Sequence, residues 1–104
     1  MEPDDLVKNH PDLTNTVKCT RLGVYYDGPC LGLASVKGEK GFYFLLADDE
    51  WGKDARGRLW AVYRLTPEQI KAMPPGWGHT AEPPVTQIVG WTTWVEGGML
   101  GEEA

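Results

Sequence analysis

The chain has 104 residues, of which 41% are hydrophobic and 11% aromatic, so its length and composition fit one folded domain. Its net charge of −5 and its lack of a basic run disfavour direct nucleic-acid binding, because phosphates attract clusters of Lys and Arg. No apolar stretch reaches the roughly 20 residues of a membrane-spanning helix, and residues 1–15 show no signal peptide, so we expect a cytoplasmic protein without membrane contact.

The residue patterns divide the chain into an arm, one domain and a tail. Residues 1–15 are acidic and interrupted by Pro3 and Pro11, which predicts an N-terminal arm that is only partly ordered. Residues 16–96 alternate apolar runs with turn residues, which is typical of a single β domain. Residues 97–104 are predicted to form a flexible tail.

The first two strands are predicted on either side of an Asp-Gly turn. Residues 16–26 and 30–37 are largely apolar, and Asp27-Gly28 between them is a strong signal for a two-residue hairpin loop. The apolar positions of the first strand change parity partway along it. This change predicts a β-bulge near Arg21–Gly23.

The same turn predicts how the two cysteines are placed. A two-residue loop pairs Tyr25 with Cys30 and puts Cys19 opposite Val36. The two thiols are then several residues apart along the sheet, too far for a disulfide. Reduced cysteines agree with a cytoplasmic location, and their spacing is not that of a metal site.

The middle of the chain continues this pattern of strands and turns. A reversal is predicted at residues 38–41, followed by an unbroken apolar run over 42–47. Such a run is typical of a strand covered on both faces, so we expect it to be the central strand. Residues 48–57 are predicted to be a polar loop, and alternation resumes in a fourth strand over 58–65.

One short helix is predicted before the last strand. Thr66 is a good N-cap, Pro67 fits the first helical position, and Gln69 completes a capping box. The helix must stop before residues 74–84, which contain two Pro-Pro pairs. Residues 85–96 are β-branched and aromatic and are predicted to be the last strand.

The order of these elements predicts the fold class. Four consecutive strands, a short helix and a closing strand resemble the Src-homology-type small barrels in topology alone, over roughly residues 16–96. We therefore expect a mainly β protein, a small five-stranded antiparallel, partly open barrel with one short helix before the last strand. The alternative is an α+β fold, an open antiparallel sheet with the helix on one face.

The sequence offers little for catalysis. His10 and His79 are the two histidines, and neither stands in a nucleophile or metal-ligand motif with a serine or cysteine. The glycine-rich phosphate-binding motifs are also absent. The prediction is a non-catalytic protein with no catalytic residue, no cofactor and no metal site.

The tryptophans and one acidic run are the candidate partner-binding residues. In a meander the Asp27 turn and the 48–57 loop lie at the same end of the sheet, so their carboxylates can cluster. Trp91 and Trp94 differ in parity, so a regular strand turns one of them away from the core. The predicted partner-binding residues are the aromatic or imidazole side chains Trp51, Trp77, His79, Trp91 and Trp94 and the carboxylates Asp27, Asp48, Asp49 and Glu50.

Three functions follow from these residues. The leading hypothesis is a small protein-interaction domain that binds another protein, or a second copy of itself as a homodimer, through an aromatic patch with an acidic rim. The alternative is an acidic inhibitor that mimics nucleic acid and acts on a nucleic-acid-binding protein, as virus-encoded antagonists can. The third is a small enzyme or ligand-binding barrel with a site near His79 or the carboxylates.

Overall fold

The computed structural model describes residues 3–25, 29–52, 57–72 and 87–97. These residues form two helices and five strands, in the order α1 (Pro3–Asn9), β1 (Val17–Tyr25), β2 (Pro29–Val36), β3 (Glu39–Trp51), β4 (Gly57–Arg64), α2 (Pro67–Ala72) and β5 (Gln87–Thr92). The strands pair in chain order as one antiparallel sheet. The predicted mainly β fold, with five antiparallel strands and a short helix before the last strand, is confirmed. In the described part of the chain, neither helix is long and apolar enough to cross a membrane.

Within the residues that the structure describes, the sheet does not close into a barrel, but its first strand meets the chain that follows its last strand at one point. Glu96, which follows β5, donates its backbone N–H to the Val17 carbonyl (3.0 Å) and accepts a hydrogen bond from the Cys19 N–H (2.7 Å). These bonds form an isolated parallel bridge between Lys18 and Glu96. A closed barrel would have a full ladder of hydrogen bonds between its first and last strands. The described residues form one bridge there, so the sheet remains open.

The register of the first hairpin differs from the prediction. Tyr25 pairs with Pro29, and Cys19 pairs with Ala34, so the paired ends are joined by three residues rather than two. Pro29 has no N–H to donate to the ladder, which weakens the pairing that a two-residue loop requires. The register also shifts at three places, between Cys19 and Arg21, between Leu22 and Val24, and between Val24 and Tyr25. The first two confirm the predicted bulge region.

The second turn is tighter than predicted and lies earlier in the chain. Val36 pairs with Glu39, so the reversal consists of Lys37 and Gly38 rather than residues 38–41. Both turn residues have positive φ, 53° at Lys37 and 84° at Gly38. This is the backbone that a two-residue type I′ hairpin loop requires, and glycine adopts it without a steric cost.

The third strand is longer than predicted. β3 continues through Asp48, Asp49 and Glu50 to Trp51, residues assigned above to a polar loop. The backbone of this segment pairs with β4, with Asp48 opposite Leu59. The prediction was wrong because Asp48 and Trp51 both pair with β4, on either side of a register shift that contains Asp49 and Glu50.

Apolar side chains pack on both faces of the sheet. Phe42 and Phe44 lie on one face of β3 and Tyr43 on the other, and all three are buried. The Phe44 cluster comprises Leu13, Val17, Cys19, Ala34, Val36, Phe42, Phe44, Trp60, Val62 and Val95. The Tyr43 cluster comprises Leu6, Leu31, Tyr43, Leu59, Ala61, Tyr63 and Leu65. The unbroken apolar run therefore does form the central strand, covered on both faces.

The start of α2 matches the predicted capping box. The Thr66 backbone N–H donates to Gln69 Oε1 at 2.8 Å, and the Gln69 N–H donates to Thr66 Oγ1 at 3.2 Å. The two side chains thus satisfy two N–H groups that have no partner inside the helix. α2 leads from the end of β4 toward the start of β5.

The N-terminal residues pack against β5. α1 places Leu6 in the Tyr43 cluster, and residues 10–14, here called the strap, run beside the last strand. The Leu13 N–H donates to the Trp91 carbonyl at 2.7 Å, and the Trp91 N–H donates to the Pro11 carbonyl at 3.1 Å. The strap therefore protects an edge of the sheet. The division into arm, domain and tail at residues 15 and 97 stays a prediction.

Candidate functional site

The most exposed large apolar side chain in the described residues is Trp94, at 58%. It follows β5 in a turn made by Thr92. The Thr92 hydroxyl donates to the Trp94 carbonyl at 2.7 Å and accepts a hydrogen bond from the Trp94 N–H at 3.1 Å. Thr92 is fully buried, so water does not compete for its hydroxyl and the turn stays formed. This turn also ends β5 at Thr92, earlier than the predicted residue 96.

The backbone on both sides of Trp94 is held by other parts of the chain. Before it, the Thr93 N–H donates to Thr14 Oγ1 of the strap at 3.0 Å. After it, Val95 is buried in the Phe44 cluster, and the next residue, Glu96, bonds to β1. The exposed indole is therefore carried on a backbone whose position is set by the strap, the core and the first strand.

The acidic run lies at the end of β3 that pairs with the start of β4, so Asp48, Asp49 and Glu50 share that end with Trp51. β5 ends where Thr92 pairs with Trp60, and the chain then turns through Trp94 toward the start of β1. The Asp49 and Glu50 side chains are exposed. The Glu50 N–H donates to Asp48 Oδ1 at 2.9 Å, which orients the first carboxylate along the backbone. We call this region the acidic end.

The other two described tryptophans of the predicted patch are partly buried. Trp51 and Trp91 both pack against the Tyr43 cluster. They pair with Gly57 and Ala61 of β4, four positions and about 13 Å apart along that strand. The Trp91 Nε1–H also donates to the His10 carbonyl at 2.9 Å, so this indole holds the strap. Trp51 and Trp91 therefore lie apart along β4 and are partly buried, whereas Trp94 is exposed.

Three predicted site residues cannot be placed. Asp27, Trp77 and His79 lie outside the described residues. The sequence reasoning missed Thr92, whose hydroxyl shapes the turn beneath Trp94. The sequence did contain a signal for this turn, because a threonine hydroxyl often bonds to the backbone of the residue two positions later in the chain.

The titratable groups with shifted pKa values lie in the core. Burial raises the pKa of Tyr43 well above its ordinary value, with a smaller contribution from the charge of Tyr63. Burial also raises the pKa values of the Tyr63 phenol and the Cys19 thiol, the latter offset in part by a backbone hydrogen bond at Arg21. The rings of Tyr43 and Tyr63 stack with centroids 4.8 Å apart. These groups are protonated and packed at neutral pH, which suits a structural role.

The candidate site therefore consists of the exposed Trp94 indole on its hydrogen-bonded turn and of the carboxylates at the end of β3. Within the residues that the structure describes, no three His, Cys, Asp or Glu side chains are grouped to hold a metal ion. Comparison with protein-family models, with curated proteins and with solved structures finds no match for this chain.

Proposed function

We propose that this protein is a non-catalytic, cytoplasmic interaction domain that binds a protein partner through Trp94. The observation that carries the proposal is an indole that is 58% exposed on a turn held by the buried Thr92. Tryptophan is among the residues most enriched at energetic hot spots of interfaces. A backbone that is already ordered loses little conformational entropy on binding, so more of the contact energy is available as affinity.

The acidic run gives the proposed interface its charge. In this proposal Asp48, Asp49 and Glu50, at the end of β3, form the negative rim of the interface. Exposed charges of this kind mainly raise the association rate and select partners of opposite sign. The partner is therefore expected to present a basic surface around an apolar pocket that takes the indole.

The first experiment changes the indole alone. The wild-type chain and Trp94→Ala are used as baits in native lysate, and captured proteins are quantified by mass spectrometry. We expect the specific partner to be lost with Trp94→Ala, and at least partly retained with Trp94→Phe, which keeps an aromatic ring. Sedimentation velocity on the same proteins detects a homodimer as the partner. Equal capture and equal sedimentation by wild type and Trp94→Ala would contradict the proposal.

The second experiment changes the rim. Asp48→Asn, Asp49→Asn and Glu50→Gln together move the net charge from −5 to −2 while keeping the side-chain shapes. The matched control neutralises three exposed carboxylates on the helices, Asp4, Asp5 and Glu68, with the same change in charge. A slower association rate for the rim variant alone supports the proposed rim, whereas equal slowing of both assigns the effect to overall charge.

The alternative proposal is an acidic inhibitor that occupies a nucleic-acid site on its target. It is favoured by three consecutive carboxylates, Asp48, Asp49 and Glu50, at the end of β3, of which Asp49 and Glu50 are exposed. The same variants separate the two proposals. Loss of binding in the rim variant with full binding by Trp94→Ala favours the inhibitor, and the reverse favours the interaction domain.

A further inference from the structure

The geometry points to a binding site for small organic anions at the end of the sheet opposite the acidic end. A cleft of about 480 Å³ opens there, between the start of β3, the end of β4 and the start of β5. Its lining includes Lys40, Gly41, Arg64, Leu65, Pro67 and Gln87. Clefts of 300–1,000 Å³ are the usual size for small-molecule sites. We call this cleft the basic cleft, and its proposed role is independent of the interface around Trp94.

The backbone around the basic cleft is well supported. The Leu65 N–H donates to the Gly41 carbonyl at 2.7 Å, which ties the end of β4 to the start of β3. The capping box at Thr66 then fixes the first turn of α2 beside the cleft. The lining is thus built on strands and a capped helix, so the site is formed before a ligand arrives.

Two cationic side chains define the charge of the basic cleft. Arg64 is oriented by an ion pair with Glu39 at 2.7 Å, and its guanidinium stands 5.1 Å from the centre of the Phe42 ring. Its side chain remains 51% exposed, so part of the group faces the solvent. Lys40 is exposed and lies on the same lining. Because Glu39 offsets the charge of Arg64, Lys40 supplies the excess positive charge on this lining in a chain with net charge −5.

A second cleft adjoins the basic cleft. It has a volume of about 270 Å³, shares Lys40 and Gly41 with the basic cleft, and adds Arg21 of β1. Arg21 pairs with Leu33, which pairs with Tyr43, so Arg21 lies on the sheet face opposite to Phe42 and Arg64. Lys40 and Arg64 are therefore the cations of the basic cleft itself, and they suit a ligand with an anionic group.

The rest of the lining fits the body of such a ligand. Leu65 and Pro67 supply apolar surface, and Gln87 supplies an amide that can donate or accept a hydrogen bond. Ligand sites in proteins generally combine apolar walls with a few placed polar groups. The ligand class is therefore an organic molecule that carries carboxylate or phosphate groups on a short carbon skeleton.

The test is a titration of the whole chain followed by backbone-amide NMR. Succinate and glycerol phosphate represent the carboxylate and phosphate sources, and succinamide is the neutral match for succinate. Sodium chloride keeps the ionic strength constant. We expect saturable shifts of the Gly41, Leu65 and Gln87 amides with at least one anion at about 10 mM or below, and none with succinamide. The anion that binds tighter identifies the source.

Variants locate the binding. Lys40→Gln removes one exposed charge from the lining and is expected to weaken the binding about tenfold. Lys8→Gln removes an equally exposed charge from α1, away from the cleft, and serves as the control. The proposal is overturned if no anion shifts these amides, if succinamide shifts them equally, or if both variants bind like wild type. An equal loss of affinity in both variants also overturns it, because the effect is then general charge.

Discussion

Replacing Gly90 with alanine tests how the strap is attached to the sheet. A Cβ at this position would lie 2.6 Å from the Pro11 carbonyl oxygen and 2.7 Å from the Leu13 Cγ and Cδ1 atoms. Real Cβ atoms do not approach a neighbour this closely, and the nearest atom is backbone, so the strap must move. We expect Gly90→Ala to detach the strap from β5 without unfolding the remaining strands.

The magnitude follows from the contacts that depend on this approach. Three hydrogen bonds join the strap to Trp91. The Leu13 N–H donates to the Trp91 carbonyl, and the backbone and indole N–H groups of Trp91 donate to the carbonyls of Pro11 and His10. Each bond contributes about 1 kcal/mol. Withdrawing Leu13 from the Phe44 cluster adds about 2 kcal/mol. The freed chain regains conformational entropy, which offsets part of the roughly 5 kcal/mol total. We therefore expect the free energy of unfolding to fall by about 2–4 kcal/mol.

The assay combines urea unfolding with hydrogen exchange. Urea melts give the free energy of unfolding, and exchange reports the Leu13 and Trp91 amides, whose N–H groups cross between strap and strand. Both amides should lose protection in Gly90→Ala, while amides of Phe44 in the central strand keep theirs. The Trp91 indole N–H, bonded to His10, provides a third signal.

The sign of the change makes the test decisive. In a strand without a neighbour at that position, alanine in place of glycine stabilises by about 0.5–1 kcal/mol. An unchanged or raised free energy of unfolding would therefore refute the packing of the strap over Gly90. In a Leu13→Ala background the clash with the Leu13 side chain is gone, so Gly90→Ala should lower the free energy of unfolding by less. If the effects of the two substitutions simply add, Leu13 does not pack over Gly90.

Three further predictions concern the helix cap, the second turn and the tyrosine pair. Thr66→Ala should lower the free energy of unfolding by about 1 kcal/mol, and Thr66→Ser should restore most of it in the same urea melts. Lys37→Asn should raise the melting temperature, because asparagine adopts positive φ more readily than lysine, whereas Lys37→Val should lower it. Burial raises the pKa values of Tyr43 and Tyr63, so the native state keeps protons that the unfolded chain releases above about pH 10. Stability should be flat with respect to these groups below that pH and fall above it, and Tyr43→Phe should reduce the slope; an equal slope in both proteins would contradict this origin.

Local motifs were readable from the sequence because their partners are close in the chain. The capping box of Thr66 and Gln69 closes over three residues, and both of its hydrogen bonds form. The unbroken run 42–47 lies in the central strand, and its consecutive residues Phe42, Tyr43 and Phe44 are all buried because both faces of the sheet are covered there. The change of apolar parity in β1 likewise located the bulge, since alternation is a property of neighbouring residues.

The features that the sequence did not reveal depend on distant residues. Trp91 bonds to the strap about eighty positions earlier in the chain, and no local pattern encodes such a pairing. β3 extends through Asp48 because β4 is there to pair with it, although the composition of that segment favours a loop. The three-residue connection from Tyr25 to Pro29 reflects the sum of several small pairing energies along two strands.

The candidate site shows the same division. The sequence by itself determined that Trp91 and Trp94 would face different ways in a regular strand, and that an acidic run follows the central strand. Only the tertiary structure decided that Trp91 holds the strap and that Trp94 faces solvent. The physical reason is that the burial of a side chain depends on which other elements pack against its face of the sheet. For Trp91 that element is the strap, which lies far away in the sequence.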